Sequence, residues 1–301
     1  MKLFKDKVFN VNFIKYRKFC FGVSVFLLAL SLFAFLGKGL KYGIDFQGGT
    51  LVEVSSSTPI DIAKVRSDLN FLEDLSVQTS GAEWKTLLIQ TKGIGGMSGA
   101  QVVEKIKQTL GPDYRSERVE VIGPRIGKEL KTKSLLASIF ALLAITIYIW
   151  IRFEWPFAVG CLVALAHDLI IVVGLFALLG FEFDMVVVAG LLSLAGYDCN
   201  DTIVTYDRIR ENLKKYRKME INPLLNQSNN ETLSRTIFTS LTTLAVILTL
   251  VVFGGQTLYG FSMAMLFGTI LGTYSSIFIA VPILSYFDIR STGAKTEKST
   301  V

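Results

Sequence analysis

Six apolar stretches, near residues 19–36, 134–151, 157–179, 185–205, 236–253 and 261–286, decide where this chain can fold. Each runs to about 18 residues or more, and a bilayer core of ~30 Å calls for ~20 residues of helix. Composition agrees, because 51% of the 301 residues are hydrophobic and only 19% are charged, against roughly 25% charged in soluble domains. The first stretch is longer than an ordinary secretory h-region and has no A-x-A site behind it, so it reads as an uncleaved anchor.

Lys and Arg set the orientation. Six fall in residues 1–18, seven in 206–235 and three after Phe287, whereas the connections 180–184 and 254–260 have none. The positive-inside rule then puts both termini and 206–235 in the cytoplasm, and a long segment such as 37–133 crosses regardless of its charge. The expected division is a cytoplasmic segment 1–18, a first span 19–36 and an extracytoplasmic α+β domain 37–133. Spans two to four (134–205), a cytoplasmic helix or loop (206–235), spans five and six (236–286) and a tail (287–301) follow. The net charge of +6 is mostly this topology. It does not argue for nucleic acid, although a basic cytoplasmic face suits anionic lipid.

Cys20, Cys161 and Cys199 lie in predicted spans, which leaves the domain between spans one and two without a disulfide framework. The single histidine, His167, excludes a His-rich metal site. That domain shows mixed periodicity. GTLVEVS (49–55) reads as a strand, and TPIDIAKVRSDLNFL reads as a helix capped through Thr58, Pro59 and Asp61 with Ile62, Val65, Leu69 and Leu72 on one face. LSVQTS and WKTLLIQT form a hairpin around Gly81, Ser98 and Gln101 open a second helix as a capping box, and SERVEVI closes as a strand. The order βαββαβ predicts a ferredoxin-like sandwich. The loop KGIGGMSGA, with Gly93, Gly95, Gly96 and Gly99, misses the GxGxxG spacing and reads as a flexible turn. GPRIGKELKTK (123–133) reads as a turn and an amphipathic lead into span two. In GIDFQGGT, the residues Gly43, Asp45, Gly48 and Gly49 stand between the first span and the first strand, where glycine permits close backbone approach or a bulge.

Polar residues inside the spans bear on function. Asp168 falls mid-span in ALAHDLII, and Asp198 and Asp201 fall in the cytoplasmic half of span four. A charged group at mid-helix costs about 2.5–3.5 kcal/mol on insertion scales, so such residues face a bundle interior or a wet cavity. Asp198 and Asp201 share one side of a helix and form a polar seam that Thr202, Thr205 and Arg208 extend. Arg235, at the start of span five, lies at a depth similar to Asp201 and is a candidate partner for it. Plainer readings remain for each. Arg235 can be a snorkelling, topology-setting residue, the Asp198–Asp201 pair can glue helices together, and Asp168 can serve either purpose. Glu211 and Lys215 are spaced for an i,i+4 pair, and Gly268 and Gly272 make a GxxxG suited to close helix packing, within this chain or against a partner.

Read in order, GIDFQGGT, ALAHDL, GYDCNDTIVTYDRIREN, LSRTIFTSLTT and FGTILGTYSS closely resemble the SecD/SecF family of bacterial protein-export membrane proteins, and within it the smaller SecF type. The resemblance implies six spans with one domain between the first two, half of a resistance-nodulation-division (RND) transporter architecture in the inner membrane. SecD would supply the other half, beside the SecYEG channel, often with YajC, and SecA would act through the channel on the unfolded preprotein. It implies a proton-coupled subunit with protons as coupling ion and no cofactor, metal or catalytic residue. In that frame Asp201 matches the aspartate of the family's NDT/NDS element and Arg235 the arginine of its SRT element. The family pattern has Ser-Ile or Ser-Leu where this chain has Asp198-Cys199, so Asp198 and Asp201 are treated as a coupled pair.

Other functions fit less well. A small-molecule or lipid exporter of the same superfamily would carry two halves in one chain. An intramembrane aspartyl protease needs two carboxylates sharing a water, and its GxGD element is absent. A purely structural subunit would not depend on Asp201. No nucleotide-binding or hydrolytic motif of the chain's own is present.

Overall fold

The computed structural model describes residues 10–80, 85–95 and 97–290. The expected turn at Gly81, the loop residue Gly96, the first half of the basic N-terminal segment and most of the tail lie outside the described residues. In chain order the first elements are α1 (Arg17–Lys38), β1 (Lys41–Tyr42), α2 (Ile44–Gln47), β2 (Gly49–Ser56), α3 (Ile62–Asp68), β3 (Ser76–Ser80), β4 (Thr86–Thr91), α4 (Gly99–Leu110) and β5 (Tyr114–Ile122). They are followed by α5 (Pro124–Arg152), α6 (Trp155–Leu179), β6 (Glu182–Phe183), α7 (Met185–Lys215), α8 (Ile221–Phe253) and α9 (Gly255–Ser275).

Among the described residues, five helices are long and apolar enough to cross a membrane, namely α1, α5, α6, α8 and the segment that begins with α9. α7 is also long, at 31 residues, but its polar residues from Asp198 onwards dilute the apolar run that the sequence suggested as a sixth span. The molecule is therefore a mostly helical, multi-pass membrane protein with a small sheet. α7 sits inside the bundle, packed against α5, α6, α8 and α9, and α6 and α9 bury more of their apolar windows than α1, α5 or α8 do.

The segment between α1 and α5 runs β2–α3–β3–β4–α4–β5 in sequence, and its antiparallel sheet has the order β3-β4-β2-β5. Alternation along the strands explains its core. Val52, Val54, Val77, Leu87 and Ile89 point to one face and meet Val65, Leu69, Val102 and Ile106 beneath α3 and α4. Residues of the opposite phase, among them Gln78, Gln90, Arg118 and Glu120, line a cavity of about 170 Å³ that the sheet shares with the α6–α7 connection and the start of α9. Val119 and Val121, on the open edge strand β5, are 42% and 49% exposed despite their regular alternation.

Several local expectations need correction. α3 is capped by Asp61 alone, whose carboxylate accepts the Ala63 and Lys64 amides at 2.9 and 3.3 Å, so Pro59 precedes the helix instead of opening it. α4 does carry the Ser98–Gln101 capping box. The lead into span two is no separate turn, because α5 starts at Pro124 with proline in its first turn and runs unbroken to Arg152. Helix also fills most of 206–235, with only residues 216–220 between α7 and α8. Glu211 there pairs with Arg208 at 2.6 Å, while Lys215 lies over the Tyr216 ring.

Gly48 and Gly49 show why glycine is needed ahead of β2. Their φ values are +77° and +145°, and an added Cβ would come 2.9 Å from the Pro124 backbone and 2.6 Å from the Thr91 carbonyl, respectively. Gly48→Ala is therefore expected to cost about 1–3 kcal/mol through backbone strain. In detergent its thermal midpoint should fall by roughly 5 °C, whereas Gly37→Ala, in open space on α1, should leave the midpoint unchanged.

Candidate functional site

α6, α7 and α9 bring carboxylates together in the bundle interior. Asp168 is fully buried. Its Oδ1 lies 2.9 Å from His167 Nδ1, and its Oδ2 accepts from Ser275 at the end of α9. Asp198 is buried beside Asp168, with Asp201 farther off. No donor group of the described residues reaches either Asp198 oxygen, which leaves the Asp168 carboxyl as its polar neighbour, and His167 Nε2 has no partner among them. Leaving such groups unsatisfied costs about 1–3 kcal/mol each and more when charged, so this is an expensive arrangement to retain.

The GxxxG of α9 explains how Asp198 fits. A Cβ on Gly268 would collide with the Leu194 side chain, and one on Gly272 would collide with the Asp198 carboxyl. The two glycines thus form a trough that receives Leu194 and Asp198, one helical turn apart on α7. The motif packs within this chain, and one of its two steps holds a carboxyl group.

Asp201 is buried on α7, with its backbone carbonyl accepting from Thr205 at 3.2 Å. Arg235 is near enough to act on it electrostatically, but no ion pair joins the two, and Arg235 is exposed on α8. A polar groove of about 360 Å³ reaches Arg235 from the helix ends, lined also by Asp207, Arg208, Glu211, Glu231 and Thr232. Around it α7 and α8 are stitched by Thr205–Thr232 at 3.2 Å, Arg208–Glu231 at 2.6 Å and Asn212–Glu231 at 2.8 Å. The aspartates are therefore arranged as Asp168 with Asp198 deep against α9, and Asp201 towards α8 and the groove.

Sequence reasoning overlooked the residues that anchor α9. The helix passes into a π-helical turn at Ser276–Ala280, directly after Ser275, and such turns free backbone carbonyls. Asn229 Nδ2 donates to the Ile277 carbonyl at 3.1 Å and Tyr206 Oη to that of Ala280 at 3.2 Å. The polar run Ser228–Asn229–Asn230 was the available signal, since all three are buried and buried polar side chains need partners.

Gly43, Asp45, Gly48 and Gly49 lie elsewhere, at the end of the bundle that meets the sheet. Asp45 Oδ2 accepts the Met185 amide at 2.9 Å, and Asp184 caps the same helix through Val187 at 2.8 Å. Burial pushes the carboxyls of both Glu182 and Asp184 above the ordinary range. A carboxyl raised in the folded state binds its proton more tightly there. Its contribution is thus fully present below about pH 4 and is lost as pH rises through the raised value. Glu182→Gln should match the parent in thermal midpoint at acid pH and exceed it increasingly as pH rises; equal midpoints at every pH would contradict this.

Comparison with known proteins bears on the same residues. Residues 102–290 match the family described as "Protein export membrane protein SecD/SecF, C-terminal", and residues 33–60 match the "SecD/SecF GG Motif". The chain is 41% identical to a protein translocase subunit SecF of Cereibacter sphaeroides over 99% of its length and 95% of the relative's. It is 40% identical to that of Desulfurispirillum indicum over 94% of each chain. Among solved structures, the crystal structure of SecDF from Thermus thermophilus superposes with a TM-score of 0.83 at 32% identity, covering 95% of this chain. This chain spans only 39% of that SecDF chain. With the GG-motif match around Asp45 and the larger match taking in Asp168, Asp198, Asp201 and Arg235, the chain belongs to the SecD/SecF family of protein-export membrane proteins, as a translocase subunit of the SecF type.

Proposed function

We propose that this chain is the SecF half of a SecD–SecF complex that uses the proton-motive force to complete translocation of preproteins through the SecYEG channel. YajC would be a further neighbour, with SecA acting on the same preprotein from the cytoplasm. The reading places both termini in the cytoplasm and residues 37–133 outside the inner membrane. It takes the six helices as half of an RND-type transporter and the extramembrane sandwich as ferredoxin-like. The sheet order β3-β4-β2-β5 supports the latter, and a SecD half is suggested by the 39% share of the SecDF chain that this one spans.

The observation that carries the coupling is the set of buried carboxyls on α6 and α7, with Asp201 within electrostatic reach of Arg235, which lines a polar groove, and Asp198 beside Asp168. A buried polar seam of this kind marks an ion path, and two carboxyls in contact can share one proton. Asp201 would take up and release the proton, Arg235 would draw close when Asp201 is ionised, and Asp198 with Asp168 would extend the path. A non-conducting scaffold is the second reading, favoured by the absence of an Asp201–Arg235 ion pair among the described residues. The test uses inverted vesicles holding the channel and SecD, with or without this chain. Late-stage release of a preprotein should respond to a proton gradient only when the chain is present, and an equal response without it would sink the reading.

A further inference from the structure

Asp45 is 140 residues from Met185 in sequence, yet its carboxylate caps the helix that carries Asp198 and Asp201. The first amides of any helix lack intrahelical acceptors. In α7, Val187 N–H is taken by Asp184 at 2.8 Å and Met185 N–H by Asp45 at 2.9 Å. Two carboxylates at this end also suit the helix dipole. Only one of them belongs to the helix's own approach; the other is supplied by the signature segment.

That segment is gripped on every side. Gly43 N–H donates to the Phe183 carbonyl at 2.9 Å, and Lys41–Tyr42 pairs in parallel with Glu182–Phe183. On the α5 side, a Cβ on Gly127 would come 2.9 Å from the Gly48 amide nitrogen. At its far end Gly49 begins β2, a central strand of the sheet. Gln90 of β4 also bonds to Glu182 beside this segment, and β5 passes into α5 through Gly123 alone; the side-chain ties to α9 are looser. Arg118 donates to Thr257 Oγ1 at 2.8 Å and Gln256 to Gln78 at 3.2 Å, in exposed or half-buried side-chain contacts to the first turn of α9.

We infer that the segment from Lys41 to Gly49 is the joint through which displacement of α7 reaches the extramembrane domain, with Asp45 as the positioning residue that fastens the sheet to the helix. A helix is stiff along its axis, and Met185 lies only about 20 Å from Asp198 at 1.5 Å per residue. A shift of α7 at its carboxyl groups therefore arrives at Asp45 little diminished. The contacts at Thr257 and Gln256 can part while the Asp45 joint holds, so the domain pivots about one side. This rests on the proposed role of α7 in proton coupling.

The test places spin labels at Lys107→Cys on α4 and Phe253→Cys at the outer end of α8, in the complex with SecD in vesicles. The native cysteines are buried. The parent should give a narrow distance distribution whose mean moves when a proton gradient is imposed. Asp45→Ala should at least double the width and abolish the shift. Asp45→Asn, which keeps an oxygen for the Met185 amide, should stay close to the parent. Should Asp45→Ala fail to assemble, Met185→Pro removes the donor at a position where proline is tolerated and should give the same broadening. Distributions that superimpose on the parent's, with and without the gradient, overturn the joint. A parent that ignores the gradient refutes the coupling reading instead, and the widths without a gradient still decide the joint.

Discussion

Asp201→Asn is expected to lose gradient-driven export by at least about tenfold, equivalent to ~1.4 kcal/mol or more on the coupled step, at unchanged abundance of the complex. The substitution preserves shape and removes only the ability to exchange a proton. No hydrogen bond to the Asp201 carboxylate is seen among the described residues, and Arg235 stands off without an ion pair. The amide should thus be tolerated by the fold. Release measured in vesicles should fall to the gradient-free rate and no lower. Arg235→Lys should keep part of the response and Arg235→Gln little of it. A fully responsive Asp201→Asn would make Asp201 a structural residue and move any proton path to Asp198, to SecD, or out of the complex.

The largest loss of stability is expected from Gly272→Val. α7 and α9 are among the most extensively packed pair of helices in the bundle, and Gly272 leaves room for the Asp198 carboxyl and nothing larger. A branched side chain there must displace Asp198 or separate the helices, and overpacking of this kind costs about 1–3 kcal/mol, occasionally more. Gly272→Ala should therefore be tolerated far better once Asp198→Ala has emptied the trough. In a double-mutant cycle on thermal midpoints the two changes should be strongly non-additive. Additive effects would mean that the trough does not hold Asp198.

Much of the fold is legible because apolar runs and turn chemistry are local. The spans, the alternation that buries Val52 and Val54, and the Ser98 capping box each follow from neighbours in sequence. Errors arose where tertiary contacts compete with local signals. Arg208 turned Glu211 away from Lys215, and α3 is capped by Asp61 alone, with Pro59 left outside the helix. The site divides in the same way. The carboxyl residues stand out in the sequence because they are costly in a span, but their partners do not. Ser275 reaches Asp168 across 107 residues and Asp45 reaches Met185 across 140, distances over which no spacing rule applies. Gly272 looked like packing alone until the geometry put a carboxyl group against it.

The central claim is that protons pass through the carboxyl groups of this bundle. It is tested most directly by proton flux into sealed vesicles containing the purified chain with SecD, followed with an internal pH-sensitive dye after an external acid jump. The parent complex should acidify the lumen faster than empty vesicles, and Asp201→Asn should return the rate to that of empty vesicles. Equal rates for parent and variant, both above the empty-vesicle rate, would contradict the account.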